Sequence, residues 1–282
     1  MAKIIGGLTT SHIPAIGGAI AKELFDDPYW KPFFDAYPTA RNWLAEEKPD
    51  IAIVIYNDHG LNFFLDKQPT FAVGAAAEYY NDDEGWGIPT IPPFKGDPKF
   101  SWHLIESLVE DEFDLVTCQE MAVDHGFTVP MQLFWPDRVQ NLETQVATVP
   151  LCVNTVQHPL PSPKRCYDLG KALHKAIEAY PEDKKVVILG TGGLSHQLDG
   201  TRAGFINKEF DTMCMEKIVD DPEYFLDMSI RDLVREAGAQ GAEFILWLMM
   251  RAALGPNVTK IHQNYHIPIS NTGAGMMVLE AA

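Results

Sequence analysis

Cysteine is scarce in this sequence of 282 residues, which contains only four, at positions 118, 152, 166 and 214. None of the four belongs to a C-x-x-C pair, and their spacing matches no zinc-binding pattern. The chain therefore lacks the cysteine framework of a small disulfide-rich secreted protein, and also that of a zinc ribbon. We expect four reduced, buried thiols in a cytoplasmic protein.

Basic residues are also few, because 22 Lys and Arg are set against 39 Asp and Glu, and the formal net charge is −17. Affinity for a phosphate backbone comes from basic patches, so this balance argues against a nucleic-acid partner. An acidic surface does not attract anionic substrates either. If the protein binds a carboxylate, local groups must provide the attraction.

Long hydrophobic runs are absent as well. Residues 1–7 contain no secretory hydrophobic region, and the strongest apolar run, residues 244–250, is far too short to span a bilayer. We therefore expect no membrane partner. Hydrophobic residues make up 46 % of the chain, which is enough for a full core. We predict a single domain over residues 1–282.

The hydrophobic pattern alternates between strand-like and helix-like segments. Short apolar runs rich in β-branched residues predict strands at 4–9, 51–56, 71–74, 115–117, 146–156, 186–189 and 275–279. Stretches between them predict helices at 41–47, 100–109, 163–180, 207–219, 230–236 and 241–254. Strands that alternate with helices predict an α/β fold with a central mixed β-sheet flanked by helices.

Four histidines lie where a predicted strand ends or where glycine marks a turn: His12, His59, His125 and His196. In an α/β protein, ligands bind outside the carboxyl ends of the strands. A lone histidine is more often a structural residue, so each of the four is weak evidence by itself. Because histidine both ligates metals and titrates near neutral pH, the group of four predicts a metal site that also handles protons.

Glu243 is a single carboxylate at the start of a segment, residues 244–250, that is apolar on every face. Its neighbours at i+3, i+4 and i+7 lie on one helical stripe: Leu246, Trp247 and Met250. A carboxylate on a buried helix must be paired, protonated or bound to a metal. The residues leave two possibilities open, an ion pair with Arg202 or Arg251 and a metal site.

Two histidines and one carboxylate form the facial triad of non-haem Fe(II) oxygenases, and zinc accepts the same ligand types. No H-E-x-x-H motif is present to support a zinc protease. The glycine cluster before His196 is not a nucleotide-binding loop, because position 195 is serine and no P-loop lysine follows. A site of His12, His59 and Glu243 is plausible on this argument, with His125 and His196 near the metal.

Several short motifs occur in order along nearly the whole chain. They are Thr10-Ser11-His12-Ile13-Pro14-Ala15, Tyr56-Asn57-Asp58-His59, Asp83-Glu84-Gly85-Trp86-Gly87, Val123-Asp124-His125-Gly126, Gly190-Thr191-Gly192-Gly193-Leu194-Ser195-His196-Gln197, Arg202-Ala203-Gly204, Asn207-Lys208-Glu209-Phe210-Asp211, Gly241-Ala242-Glu243 and Tyr265-His266-Ile267-Pro268. In these motifs the sequence resembles the class III extradiol ring-cleavage dioxygenases, and within them the catalytic β subunits of protocatechuate 4,5-dioxygenases. So many matches in order are specific, although no single motif is.

The resemblance implies Fe(II) as the cofactor, with His12, His59 and Glu243 as its ligands. Ligand histidines are usually fixed by a hydrogen bond to their second ring nitrogen. Asp58 and Asn57 stand beside His59 in the sequence and are candidates for that role.

The resemblance also implies proton transfer by His196 and a role for His125 in orienting the substrate or acting as a base. Asn57 and Ser270 would line the substrate pocket. The donor to a substrate carboxylate stays open at this point. Backbone N–H groups, Ser270, a lysine of this chain or a residue of a partner chain are all candidates.

The expected reaction is extradiol (meta) cleavage of a carboxylated catechol by dioxygen, with protocatechuate converted to 4-carboxy-2-hydroxymuconate semialdehyde. The two-subunit enzymes of this kind need a small α chain that covers the active site. The resemblance therefore implies an α partner and an α2β2 heterotetramer.

Residues 1–7 also resemble gallate dioxygenases, which carry a fused second domain after the catalytic one. We expect protocatechuate as the substrate because the sequence ends at Ala282 without that extension and keeps apolar Ile13 beside the first ligand. The alternatives are a gallate or methylgallate dioxygenase, a zinc hydrolase with the same ligands, and a binding subunit without catalysis. The last would predict loss of the ligand set, which is present.

Overall fold

The computed structural model describes residues 1–137, 146–267 and 270–282, and a mixed sheet of eight strands runs through it. The strands are β1 (Lys3–Thr10), β2 (Ile51–Tyr56), β3 (Phe71–Gly74), β6 (Val116–Cys118), β7 (Ala147–Val153), β8 (Lys185–Thr191), β9 (Val258–His266) and β10 (Ala274–Ala281). Two short strands, β4 (Glu78–Tyr79) and β5 (Phe94–Lys95), pair with each other outside this sheet.

The order across the sheet is β6-β3-β7-β2-β8-β1-β10-β9, and the four strands at its centre, β7, β2, β8 and β1, are mutually parallel. Strand β2 is buried at all six positions, as expected for a parallel strand covered on both faces. Parallel strands all end at the same edge of the sheet. The loops that follow β1, β2, β7 and β8 therefore meet there, which is where the candidate site lies.

Helices cover both faces of the sheet. They are α1 (Pro14–Ala21), α2 (Lys31–Phe34), α3 (Tyr37–Glu47), α4 (Pro98–Glu110), α5 (His125–Phe134), α6 (Pro163–Ala179), α7 (Lys208–Asp220), α8 (Ile230–Ala237) and α9 (Phe244–Ala253). One hydrophobic core joins α4 and α6–α9 to one face of the sheet, and a second joins α1–α3 and α5 to the other. The predicted α/β class, with a central mixed sheet between helices, is confirmed.

The predicted elements occur, with bounds that differ by a few residues. The strand predicted at 146–156 is shorter, because the chain turns at Asn154, whose side chain accepts from the backbone N–H groups of Val156 and Gln157. The helix predicted at 41–47 begins four residues earlier, with proline in its first turn. The helix predicted at 241–254 is a 3₁₀ turn, Gln240–Glu243, followed by α9.

Helices α1, α2 and α5 and strand β9 were not predicted. Helix α5 contains Pro130, a residue that normally argues against a helix interior, and it is anchored instead by the Asp124 side chain, which accepts from the Gly126 N–H. Strand β9 lies at the edge of the sheet and is exposed or half-buried throughout, so it lacks the apolar run of a buried strand.

Two expectations from composition can be compared with the fold. The four cysteines are free thiols, three of them buried and Cys118 partly exposed. Among the residues that the structure describes, no helix combines the length and the hydropathy that crossing a membrane would require.

Candidate metal centre

Three side chains with metal-binding atoms converge at the carboxyl edge of the central strands. His12 follows β1, His59 follows β2, and Glu243 ends the 3₁₀ turn that leads into α9. One ligand atom from each of the three lies within 4.8 Å of the others. Residues separated by up to 231 positions in the sequence thus form one cluster, because parallel strands carry the two histidines to the same edge of the sheet.

The imidazole of His12 has a fixed orientation. Its Nδ1 lies 3.0 Å from Thr191 Oγ1, and that hydroxyl has carbonyl acceptors in Ile55 and Gly126, so Nδ1–H donates to the threonine oxygen. Burial lowers the pKa of His12, which keeps the ring neutral. Nε2 is then an unprotonated nitrogen, 3.6 Å from Glu243 Oε1 and buried without a hydrogen-bond partner among the residues that the structure describes.

The imidazole of His59 is held by Asp124. The carboxylate oxygen Oδ2 accepts from His59 Nδ1 at 2.8 Å and from the His59 backbone N–H at 2.7 Å. Burial would lower the pKa of His59, but the charges of Asp124 and Glu243 raise it to about 10. Burial would raise the pKa of Asp124, but His59 lowers it to about 2. The second ring nitrogen of His59, Nε2, lies 3.8 Å from Glu243 Oε1.

The carboxylate of Glu243 completes the cluster. Its Oε2 accepts from the Gly193 N–H at 2.7 Å, and its Oε1 accepts from Asn57 Nδ2 at 3.3 Å. Burial alone would raise the pKa of Glu243, but the facing imidazoles, His12 above all, outweigh it, and the pKa lies well below its usual value. Gly192, at φ +91°, comes so close that a Cβ atom there would lie 2.7 Å from Oε2.

The ion pair considered for Glu243 is not formed with either arginine. Arg251 donates to the carbonyl oxygens of Gly255 and Pro256 beyond the end of α9. Arg202 donates to carbonyl oxygens of α8 and stacks on Phe205. The partners of the Glu243 carboxylate are imidazoles and N–H groups, which is the environment of an ionised metal ligand.

A metal ion fits this donor set. Two imidazole nitrogens and one carboxylate suit Fe(II), and they also suit zinc. A bound cation would displace the proton that the raised pKa of His59 places on its ring. The buried Nε2 of His12 has no hydrogen-bond partner in the described part of the chain, and such an atom is costly unless a ligand satisfies it. A second group with metal-binding atoms, His59, Asp124 and His125, is explained without a metal, because both Asp124 oxygens already accept N–H bonds.

His125 and His196 flank the cluster. The ring of His125 stacks on that of His59 with centroids 4.1 Å apart, and its Nδ1 lies 2.6 Å from Glu84 Oε2. The Nδ1 of His196 donates to the Leu194 carbonyl at 3.0 Å. Because a carbonyl only accepts, this bond places a proton on Nδ1 and leaves Nε2, 3.9 Å from Glu243 Oε2, as the atom that can accept a proton.

A cavity of about 600 Å³ opens onto the cluster. All five residues expected at a metal or proton-handling site line it: His12, His59, His125, His196 and Glu243. Ser270, expected to line the pocket, does so, and its buried Oγ has no hydrogen-bond partner among the described residues. Asn57 does not line the cavity. It is fully buried beside the ligands, with Nδ2 3.0 Å from His59 Nε2.

Of the two residues expected to fix the His59 ring, Asn57 contacts it, at Nε2, and Asp58 does not. The Asp58 carboxylate accepts from backbone N–H groups of residues 60–63 and so holds the loop after β2. The side chains that hold the Nδ1 atoms of His12, His59 and His125 are Thr191, Asp124 and Glu84. The one signal in the sequence was that Asp124 stands directly before His125, as an N-cap residue would.

Comparison with known proteins gives three findings. Residues 6–276 match the family model described as the catalytic LigB subunit of aromatic ring-opening dioxygenase. A gallate dioxygenase of Pseudomonas putida is 42% identical over 198 residues, which cover 70% of this chain and 57% of the relative. A 2,3-dihydroxyphenylpropionate/2,3-dihydroxicinnamic acid 1,2-dioxygenase of Photorhabdus laumondii is 30% identical over 190 residues, covering 67% of this chain and 55% of the relative.

The matched part therefore spans little more than half the length of these relatives. Among solved structures, an uncharacterized protein from Escherichia coli K12 matches with a TM-score of 0.54 and 12% identity, covering 99% of this chain and 100% of that one. At this identity the likeness concerns the fold alone.

Proposed function

Because the chain belongs to the family of catalytic LigB subunits of aromatic ring-opening dioxygenases, we propose that it opens the ring of a carboxylated catechol with dioxygen, by extradiol cleavage. The observation that carries this proposal is the cluster of His12, His59 and Glu243 at the floor of a cavity of about 600 Å³. We propose that residues 1–282 form one catalytic domain.

We assign the metal to His12 Nε2, His59 Nε2 and a Glu243 oxygen, with Fe(II) as the ion. Bound there, Fe(II) would supply Lewis-acid and redox chemistry, lowering the pKa of catechol hydroxyls and letting electron density pass from the ring to dioxygen. Thr191 and Asp124 hold the Nδ1 atoms of the two histidines, so both rings present Nε2 to the same point. Asn57 and the Gly193 N–H orient the carboxylate.

His196 and His125 handle protons in this proposal. His196 carries its proton on Nδ1, toward the Leu194 carbonyl, so its Nε2 accepts a proton from a ring hydroxyl and returns it later in the reaction. His125 Nδ1 donates to the Glu84 carboxylate, which fixes the ring and leaves its other nitrogen to form a hydrogen bond with a substrate oxygen. Both rings border the cavity, as a proton-transfer group must.

Gallate is the better supported substrate and protocatechuate the second candidate. The gallate dioxygenase of Pseudomonas putida is 42% identical to this chain over the matched region, which favours gallate. Protocatechuate is favoured by Ile13, which lines the cavity directly beside His12 and is apolar. Ser270 also lines the cavity and is assigned to substrate binding.

The test is oxygen uptake after reconstitution without oxygen. The protein is loaded with Fe(II) or, in parallel, with zinc, and then mixed with gallate, methylgallate, protocatechuate or catechol in air-saturated buffer. We expect oxygen consumption and a ring-opened product with Fe(II), fastest with gallate. Absence of uptake with every catechol would refute the proposal. Activity only with the zinc-loaded protein, as hydrolysis of an ester substrate, would support the alternative enzyme class.

A small α-type chain remains the proposed partner, in an α2β2 assembly. The wall of the cavity includes side chains that are apolar and largely exposed: Trp86 at 62%, Leu198 at 65% and Val156 at 55%. A cover over the cavity would bury them and keep water from the reaction. Co-expression with an α-type chain should give a complex on a sizing column and higher activity. Unchanged activity and separate elution would refute the two-chain arrangement.

A further inference from the structure

The described residues that line the cavity include no lysine or arginine that could pair with a substrate carboxylate. The carboxylate among them, Glu243, is negative. The whole chain adds a net charge of −17. The four imidazoles of the wall are assigned to the metal and to proton transfer in the proposed function, so the uncharged side chains are left to donate hydrogen bonds to an anionic group of the substrate.

Gln240 is placed to be such a donor. It begins the 3₁₀ turn that ends at Glu243, and both residues line the cavity. Side chains at positions i and i+3 of a 3₁₀ helix lie one above the other. At about 2 Å rise per residue, Gln240 therefore stands about 6 Å from Glu243 along the turn, on the same side. Because both residues line one cavity, a ring held at the metal ligands would lie in the space that Gln240 borders.

The amide of Gln240 has one defined orientation. Its Oε1 accepts from the Leu198 backbone N–H at 3.0 Å, and an amide nitrogen could not take that place. Nε2 is thereby fixed as the free end of the side chain, with two N–H groups and no acceptor among the described residues.

The other neutral side chains of the wall are less suitable. The buried hydroxyls of Thr155 and Ser270 have no hydrogen-bond partner among the described residues, but each offers one donor where the Gln240 amide offers two. Thr272 donates to the Ser270 carbonyl at 3.5 Å. A side-chain amide NH₂ only donates hydrogen bonds, so it is suited to a group that only accepts, such as a carboxylate.

We infer that Gln240 Nε2 receives the carboxylate of the substrate and makes the site select carboxylated over uncharged catechols. This inference rests on the proposed ring-opening function. Gln240 is then a specificity-determining residue. Its amide also accepts a hydrogen bond from Leu198, two residues after His196, so substrate recognition is coupled to the loop that carries His196.

The decisive variant is Gln240→Glu, which keeps an acceptor for the Leu198 N–H and replaces the donor by a second acceptor oxygen. Binding of gallate and of pyrogallol, the same ring without the carboxylate, is measured by calorimetry on Fe(II)-loaded protein without oxygen. We expect the dissociation constant of gallate to rise about tenfold or more, since a hydrogen bond to a charged group is lost and a like charge is introduced. The constant for pyrogallol should not change.

Two further variants separate the causes. Gln240→Met removes the donor without adding charge, and it should weaken gallate binding but not pyrogallol binding. Gln263→Glu makes the same chemical change at an exposed position of β9, where Lys260 Nζ contacts the side chain, and should leave both constants unchanged.

These measurements distinguish failure of the Gln240 assignment from failure of the proposed ring-opening function. Equal effects on gallate and pyrogallol, or no effect on either, would overturn the assignment of Gln240 even if wild-type protein opens the ring. If wild-type protein binds both compounds with the same affinity, the inferred selectivity is wrong. If it consumes no oxygen with any catechol, the proposed function fails whatever the binding constants are.

Discussion

The four imidazoles around the cavity are all oriented in the same way. In each of them Nδ1 faces an oxygen of the protein, which leaves Nε2 available for a metal or a proton; the partners, in chain order of the histidines, are Thr191, Asp124, Glu84 and the Leu194 carbonyl. The partner decides what each ring does best. Burial lowers the pKa of His12, whose partner is a hydroxyl; burial would also lower that of His59, but the Asp124 carboxylate raises it.

Removal of a ligand side chain should abolish metal binding. In His59→Ala the centre keeps one imidazole and one carboxylate, which is too few to hold a divalent ion at this site. We expect metal analysis after Fe(II) reconstitution and desalting to find less than a tenth of the wild-type content, on the order of the 10–100-fold losses known for disturbed sites.

The matched control is His158→Ala. His158 is exposed and does not line the cavity, so its loss should leave the metal content unchanged. Stoichiometric iron in the purified His59→Ala protein would show that the ligand assignment is wrong.

Replacement of the proton-handling residue His196 should leave metal binding intact and reduce turnover. His196→Ala leaves the three ligand side chains in place, so the variant should keep its metal. Turnover should fall about 10²–10⁴-fold, which is the usual contribution of a general acid or base. Metal content and steady-state oxygen uptake are measured on the same preparation. Ring opening at a rate near that of wild type would remove His196 from the mechanism.

At the level of elements, the centre depends on how closely the turn after β8 approaches the 3₁₀ turn before α9. The Gly193 N–H donates to Glu243 Oε2, and Trp247 of α9 donates to the Gly192 carbonyl at 2.9 Å. These two bonds join the loop that carries His196 to Glu243 and to the first turn of α9. Glycine is required at position 192, because its φ is +91° and because a Cβ would meet the carboxylate.

Gly192→Ala should therefore damage the metal centre and not merely the turn. The added methyl group would displace Glu243, so we expect metal affinity to fall about 10-fold or more. Gly200→Ala is the matched control, since Gly200 also has a positive φ, of +73°, but a Cβ there meets only an ordinary contact at 3.7 Å. Both variants should lose about 1 kcal/mol of stability from backbone strain, measured by urea unfolding, and only the first should lose metal. Equal metal affinity in the two proteins would contradict this account.

The hydrophobic pattern of the sequence predicted the strands and the helix that carry the site residues. It did not predict the residues that form hydrogen bonds with the histidine rings. The apolar runs of β1, β2 and β8 end at the histidines and glycines that matter, and the apolar segment after Glu243 marked that residue as an exceptional carboxylate. The partners of the rings could not be predicted, because Asp124 is 65 residues from His59 and Glu84 is 41 residues from His125. Such pairs are created by tertiary packing, and the neighbouring Asp58 was the nearer and wrong choice for His59.

At the level of the whole molecule, charge opposes the proposed substrate. A carboxylated catechol is an anion, the protein has a net charge of −17, and the cavity wall has no lysine or arginine among the residues that the structure describes. Long-range repulsion lowers the local concentration of such a substrate, and neutral donors at short range must then hold it. The uncharged catechols experience neither effect.

Salt should consequently increase activity toward the anionic substrate. The Debye length shrinks from about 30 Å at 0.01 M to about 8 Å at 0.15 M ionic strength, so added salt screens the repulsion from distant carboxylates but not the short hydrogen bonds inside the cavity. We expect kcat/KM for gallate to rise by at least about twofold over this range and kcat/KM for pyrogallol to stay constant. Parallel measurements with sodium chloride and choline chloride exclude a specific ion effect. A fall in kcat/KM for gallate with salt would mean that attraction by positive charge, and not the neutral donors of the wall, brings the substrate to the site.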